Sequence, residues 1–136
     1  EFAGARLIRL PVVEDLRGRL TFAQTGGLLP FEPVRVFVVY GVPSRDVRGE
    51  HAHLTCHELL IAASGSLSVV VDNGTERVEV PLSDPSVALH IPPMVWATEY
   101  KYSADAALVV LTSHHYDEDD YIRDYDEFLQ LARGAQ

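Results

Sequence analysis

His51-Ala52-His53 is followed by Glu58 and then Gly65, a set of residue types that can bind a metal or move a proton. On an extended strand the side chains at i and i+2 share a face, so both imidazoles project to the same side. Neutral imidazole ligates metals, and its ordinary pKa of about 6.5 suits proton transfer near neutral pH. Both chemistries require the pair to face inward; the same spacing also fits a solvated polar face.

The elements that must carry the pair read as strands. Val34 to Tyr40, Leu59 to Ala63, Leu67 to Val71, Arg77 to Val80, Val87 to Ile91 and Ala107 to Leu111 are short β-branched or aromatic runs divided by turn residues, as an antiparallel sandwich or barrel requires. Asp72-Asn73-Gly74 marks a hairpin between two of them, because Asn and Gly tolerate positive φ. The prolines at positions 30, 33, 43, 85, 92 and 93 mark loops or strand starts. Only the end reads as helix: Tyr121, Ile122, Tyr125, Phe128, Leu129 and Ala132 form an i, i+3, i+4, i+7 stripe, and the acidic run Asp117 to Asp120 suits the positive end of its dipole. The expectation is one domain over residues 1–136, an all-β barrel or jelly roll to about residue 115 and a C-terminal helical segment over 117–133.

A chain of 136 residues can bury one core without disulfides, and its single cysteine, Cys56, cannot form an internal one. That usage suits a reducing cytoplasm. No apolar run approaches the roughly 20 residues that cross a bilayer, and no signal peptide is visible. A net charge of −9 argues against nucleic acid or an anionic membrane as partner, since phosphate backbones need a basic face. Arg17, Arg19, Arg35 and Arg48 lie in the first half while the acidic excess gathers at the C-terminal end, so a small anion held by a few focused arginines is still compatible. Residue usage rich in Ala, Arg, Val and Asp suggests an antibiotic pathway.

The spacing His51-x-His53-x4-Glu58-x6-Gly65 resembles the first motif of the cupins, whose jelly-roll barrel holds a site in its mouth. Two longer strings, Arg48-Gly49-Glu50-His51-Ala52-His53 and the C-terminal run from Tyr116 to Phe128, resemble the sugar-nucleotide 3,4-ketoisomerases acting on dTDP-4-oxo-6-deoxyglucose. Arg17-Gly18, Arg35-Val36, Gly65-Ser66 and Pro93 to Trp96 extend the likeness over nearly the whole chain.

The resemblance implies a cupin-type double-stranded β-helix and a cytoplasmic homodimer of deoxysugar biosynthesis. It implies that the keto group of a dTDP-linked 4-keto-6-deoxy sugar moves from C4 to C3 without metal or organic cofactor. Such a reaction needs a base, a proton carrier between adjacent carbons and donors for the oxyanion. His53 is expected as the base and His51 as its partner. Arg48 is expected to bind a sugar oxygen or the diphosphate, with Arg17 and Arg35 as weaker candidates; Tyr40 is expected to donate to the sugar and Trp96 to stack on a flat ring. The aromatic stripe of the C-terminal helix reads as structural, and His57, His90, His114 and His115 carry no motif.

Departures from the pattern set alternatives. Metal-binding cupins draw a further histidine from Pro-x-Gly-x-x-His, where this chain has Pro92-Pro93-Met94-Val95-Trp96-Ala97. Yet Glu58 stands where the ketoisomerases usually carry Gln, and two histidines plus a carboxylate can hold Fe(II). Strict alternation puts Glu58 on the opposite face from the histidines, so that triad needs a bend between Leu54 and His57. A metal-dependent, dioxygenase-like cupin and a non-catalytic sugar-nucleotide-binding module are therefore the alternatives. A cupin 3,5-epimerase fits less well, its His-Asp pairing not being visible. Ala97 replaces the large polar residue that commonly follows the Trp, which leaves the C4 configuration of the product open, and Phe37 replaces a frequent Tyr.

Overall fold

β-branched runs form strands here because their side chains fit a pleated, half-buried surface. The computed structural model describes residues 1–43 and 48–134, without the side chains of 48 and 49. In chain order the strands are β1 (Arg6–Arg9), β2 (Val12–Asp15), β3 (Gly18–Thr21), β4 (Arg35–Tyr40), β5 (Arg48–His53), β6 (Glu58–Ser64), β7 (Leu67–Asp72), β8 (Arg77–Leu82), β9 (Val87–Ile91), β10 (Trp96–Tyr100), β11 (Ala107–Thr112) and β12 (Tyr121–Ile122). A 3-10 turn, Glu118–Asp120, precedes β12, and helix α1 spans Tyr125–Gly134.

Two five-stranded antiparallel sheets, ordered β1-β9-β6-β11-β4 and β12-β5-β10-β7-β8, pack face to face as a cupin-type jelly roll. Alternate residues such as Leu60, Val69, Val71, Leu108 and Val110 fill the space between them. The outer face of the second sheet is covered by α1, with Phe128 packed among Ala52, Trp96 and Ile122. The segment carrying Ala23, Leu29 and Phe31 covers the outer face of the first. Pro81 is tolerated in β8 because that strand is an edge and its missing amide breaks no interior ladder. The hairpin β2–β3 pairs only with itself among the described residues.

Each expected strand is present within a residue or two of its bounds. At the β7–β8 turn only Gly74 adopts positive φ (97°), while the Asn73 side chain accepts from the Thr75 and Glu76 amides. Gly65, φ 66°, is needed at the β6–β7 turn because a Cβ there would lie 2.3 Å from the Ser103 hydroxyl and 2.8 Å from Ala106 Cα.

The C-terminal end differs from the stripe reading. Asp117 caps the short 3-10 turn through the Asp119 amide, Tyr121 and Ile122 pair with His53 and Ala52 of β5, and the helix starts only at Tyr125, with Asp124 accepting from the Asp126 and Glu127 amides. Ile122 and Phe128 share the helix-covered cluster although only Phe128 is helical, which is why a helical stripe absorbs a strand residue.

Candidate active site

The bend that the triad requires is present. β5 ends at His53 and β6 begins at Glu58 in the opposite sheet, so the chain crosses the barrel mouth between them. Asp120 fastens that corner. Its Oδ1 accepts from the Thr55 amide (2.9 Å) and hydroxyl (2.6 Å), its Oδ2 from the Cys56 amide (3.0 Å), and its carbonyl from the Leu54 amide (2.9 Å). On the other side Met94 donates its amide to the His53 carbonyl at 2.8 Å with φ 63°. Met94 thus takes the left-handed conformation at the position where the cupin motif has Gly.

His51 and His53 face inward, with Nε2 atoms 3.1 Å apart and rings at 87°. Glu58 reaches both from the facing sheet, 3.9 Å from His51 Nε2 and 3.5 Å from His53 Nε2. The second nitrogen of His53, Nδ1, lies 3.3 Å from Asp120 Oδ2. The Tyr121 ring packs on both imidazoles, at 4.9 Å from His51 and 4.4 Å from His53. β-Register places Arg35, Thr112 and Glu58 side by side across β4, β11 and β6, so Arg35 belongs to the same row. Its guanidinium lies over Phe37 and Tyr116, at 5.1 and 5.6 Å.

Burial pushes the Glu58 carboxyl up, but the hydrogen bond from His53 and the charges of His51, His53 and Arg35 outweigh it and hold the group below the usual carboxylate range. For Asp120 burial is likewise outweighed, by the Thr55 hydroxyl, the Cys56 and Thr55 amides and the charge of His53. Two ionised carboxylates therefore face one histidine ring. Burial also raises the Cys56 thiol, which keeps it a thiol and a poor nucleophile. The ligand atoms of His51, His53 and Glu58 lie within 4.8 Å of one another, close enough for a metal.

Three expected contacts fall elsewhere. Trp96 points to the outer face, where it packs edge-on to Tyr125 (5.3 Å) and against Phe128 (5.7 Å); strand alternation turns its neighbour Ala97 inward, opposite His51. Tyr40 is 74% exposed at the end of β4 remote from Arg35, on the outer side. Arg17 sits at the tip of the β2–β3 hairpin, bound to Asp15 at 2.6 Å with 90% of its side chain exposed. The side chain of Arg48 lies outside the described residues. Residues that sequence reasoning missed are Asp120, Tyr121 and Tyr116. Their signal was the C-terminal string itself, whose aromatic and acidic residues read as helix.

The family model described as FdtA: WxcM-like, C-terminal matches residues 3–133. The chain belongs to this family. The TDP-4-oxo-6-deoxy-alpha-D-glucose-3,4-oxoisomerase of Aneurinibacillus thermoaerophilus is 35% identical over 123 residues, 90% of this chain and 88% of that protein. The crystal structure of QdtA, a sugar 3,4-ketoisomerase from Thermoanaerobacterium thermosaccharolyticum in complex with TDP, superposes with a TM-score of 0.94 at 34% identity, covering 97% of this chain and 96% of that one. A histidine-to-asparagine mutant of QdtA has been solved with TDP-4-keto-6-deoxyglucose. The TDP-fucose-3,4-ketoisomerase WlaRA of Campylobacter jejuni matches with a TM-score of 0.89 at 31% identity over 94% of this chain and 95% of that one.

Proposed function

We infer that this chain is a sugar-nucleotide 3,4-ketoisomerase of deoxysugar biosynthesis, converting dTDP-4-oxo-6-deoxyglucose to its 3-keto isomer. The observation that carries the chemistry is the pair of inward imidazole nitrogens 3.1 Å apart in a mouth also lined by Arg35 and Glu58. The C3 hydrogen lies α to the C4 carbonyl. His53 Nε2 removes it as a proton, and the electron pair moves through C3=C4 onto the C4 oxygen, giving an enediolate. The C3 hydroxyl proton passes to the C4 oxygen as C3 becomes the carbonyl, and a proton returns to C4. His51, in contact with His53, carries that exchange or holds the oxyanion. The isomerisation neither gains nor loses electrons, so no redox cofactor enters its balance. Arg35 supplies a fixed cation for a sugar oxygen or the diphosphate, and Arg48 begins the strand that carries the histidines.

The reading includes a homodimer. The hairpin β2–β3 exposes Val12, Val13, Leu16 and Leu20, and the outer side of edge strand β4 exposes Val36 and Val38. A second copy is the occupant that would cover both apolar surfaces and protect the open edge. The reading also places the enzyme in the cytoplasm, where its single cysteine stays a thiol, and in an antibiotic pathway.

Proton NMR of dTDP-4-oxo-6-deoxyglucose incubated with the protein in deuterated water tests the activity. A 3-keto sugar with solvent deuterium at C4 is expected, and a parallel incubation in ordinary water, which places a proton at C4, gives the configuration beside Ala97 from the H4–H5 coupling. An unchanged sugar with dTDP still bound would leave a binding module. The His51, His53, Glu58 constellation supports a metal-dependent cupin as second reading; stoichiometric iron in protein purified without chelator would favour it. Light scattering in solution tests the dimer, and a monomeric mass would remove it.

A further inference from the structure

A second group of metal-ligating atoms gathers on the Nδ1 side of the His53 ring, away from the Nε2 side that meets His51 and Glu58. His53 is 5% exposed, and its Nδ1 has no hydrogen-bond partner among the described residues apart from the Asp120 carboxylate, with Oδ2 at 3.3 Å. The sulfur of Cys56, also buried, lies within 4.8 Å of the ligand atoms of both. The three residues border a void of about 10 Å³ whose wall His115 and Asp117 share. That is about the room one water requires, and a zinc ion is smaller. Arg35 borders it too, but its guanidinium lies over Phe37 and Tyr116.

We propose that His53 Nδ1, Cys56 Sγ and Asp120 Oδ2 form a binding site for a thiophilic divalent cation of the Zn2+ class. Bonds of about 2.0 Å at the tetrahedral angle set a nitrogen and an oxygen ligand about 3.3 Å apart, the separation already present between Nδ1 and Oδ2. The sulfur must close to about 3.5 Å from each, a shift of about 1 Å at most from the observed limit. Little opposes that shift, since its present contacts are long, 3.4 Å to the His57 carbonyl and 3.9 Å to the Ser113 hydroxyl. One thiolate and one carboxylate balance the charge of the ion, the thiol proton leaving to solvent, and the thiolate selects Zn2+ over Mg2+ or Ca2+. Asp120 is held for the task by the Thr55 hydroxyl and the Thr55 and Cys56 amides. Three protein ligands leave a fourth position for water or for His115. A neutral imidazole ligates through one nitrogen only, so this site and the His51, His53, Glu58 triad exclude each other. An ion here ties the end of β5 and the corner after it to the 3-10 turn that carries Asp120.

The test is titration of the full, chelator-treated chain with Co2+ and then Zn2+, without substrate. One equivalent of Co2+ is expected to produce a thiolate-to-cobalt absorption band in the near ultraviolet, which one equivalent of Zn2+ abolishes while Tm rises. Zn2+ affinity is then measured by competition with a chromophoric chelator. Cys56→Ala should weaken it at least about 10²-fold, a ligand counting for no less than the groups that orient it. Glu58→Gln, which dismantles the mouth triad only, should keep both the band and the affinity. Absence of the band in wild type would overturn the proposal, and that result is read on the unaltered fold. So would wild-type Zn2+ affinity in Cys56→Ala, or a band or affinity lost in Glu58→Gln, which would put the ion in the mouth. No readout uses a sugar nucleotide, so an inactive wild type counts against the isomerase reading alone.

Discussion

Two pairs of histidines touch among the described residues, and only one lies between carboxylates. His51 and His53 meet at 3.1 Å with rings at 87°, between Glu58 and Asp120 in the barrel mouth. His57 and His90 meet at 3.0 Å with rings stacked at 12°, under Phe31 and near Arg6 on the other side of the first sheet. The first pair is ringed by anions and the second by apolar surface and a cation. Burial, then the neighbouring charges of His57 and Arg6, hold His90 at about 4, and burial followed by His114 lowers His57. The outer pair is therefore neutral at pH 7 and packs as flat rings. What distinguishes a proton-transfer site from a structural contact here is the counter-charge around the rings, not the contact between them.

The largest effect that tests this contrast is kinetic. His53→Asn is expected to reduce kcat about 10²–10⁴-fold, the usual contribution of a positioned base, whereas His90→Asn should leave kcat within about threefold while lowering stability. Comparable losses in both variants would mean that the outer pair shares in the chemistry.

Next in size is a pH dependence that the outer pair alone should show. An unfolded histidine binds a proton near 6.5, folded His90 only near about 4. Between those values the unfolded chain holds more protons, so the stability is complete above about 6.5 and drains as pH falls toward 4, by at most about 3 kcal/mol. Glu58 and Asp120 are held below their usual range. Their contribution is present above the unfolded carboxylate value and is lost only as pH falls through the lower folded one. His90→Leu should flatten the upper window in denaturant titrations and leave the acid limb; an unchanged slope would break the assignment.

A smaller stability loss is expected where Phe31 covers the outer pair, its ring 5.7 Å from His57 and 5.9 Å from His90. Phe31 is half-buried, so Phe31→Ala should cost about 1–3 kcal/mol by chemical denaturation, less than a fully buried ring. It should also weaken the slope set by His90, because water then reaches the pair.

The sequence carried the histidine pair and the jelly roll, because a local motif and period-two patterning fix what neighbours in the chain do; strict alternation put Glu58 on the opposite face, and the bend before it entered only as a requirement of the metal triad. It did not carry the pairing of His53 with Asp120, which lies far along the chain and becomes adjacent only when β12 zips onto β5. The helical stripe through Tyr121 and Ile122 competed with a strand pairing that only the partner strand reveals. Arg17 and Arg35 read alike as arginines before a turn or strand, yet one sits exposed at a hairpin tip and the other over Phe37 in the mouth.

Trp96 gives the smallest expected effect. A tryptophan next to a site suggests stacking on substrate, but β10 alternates, and with Ala97 facing His51 the indole must face the helix. There it is 9% exposed and touches Tyr125 and Phe128. Trp96→Phe keeps an aromatic in that contact, so steady-state kinetics should give kcat and KM within about twofold of wild type, with stability lowered by about 1–2 kcal/mol. A KM raised tenfold with stability unchanged would instead put the indole on the substrate and return the outer face to the active site.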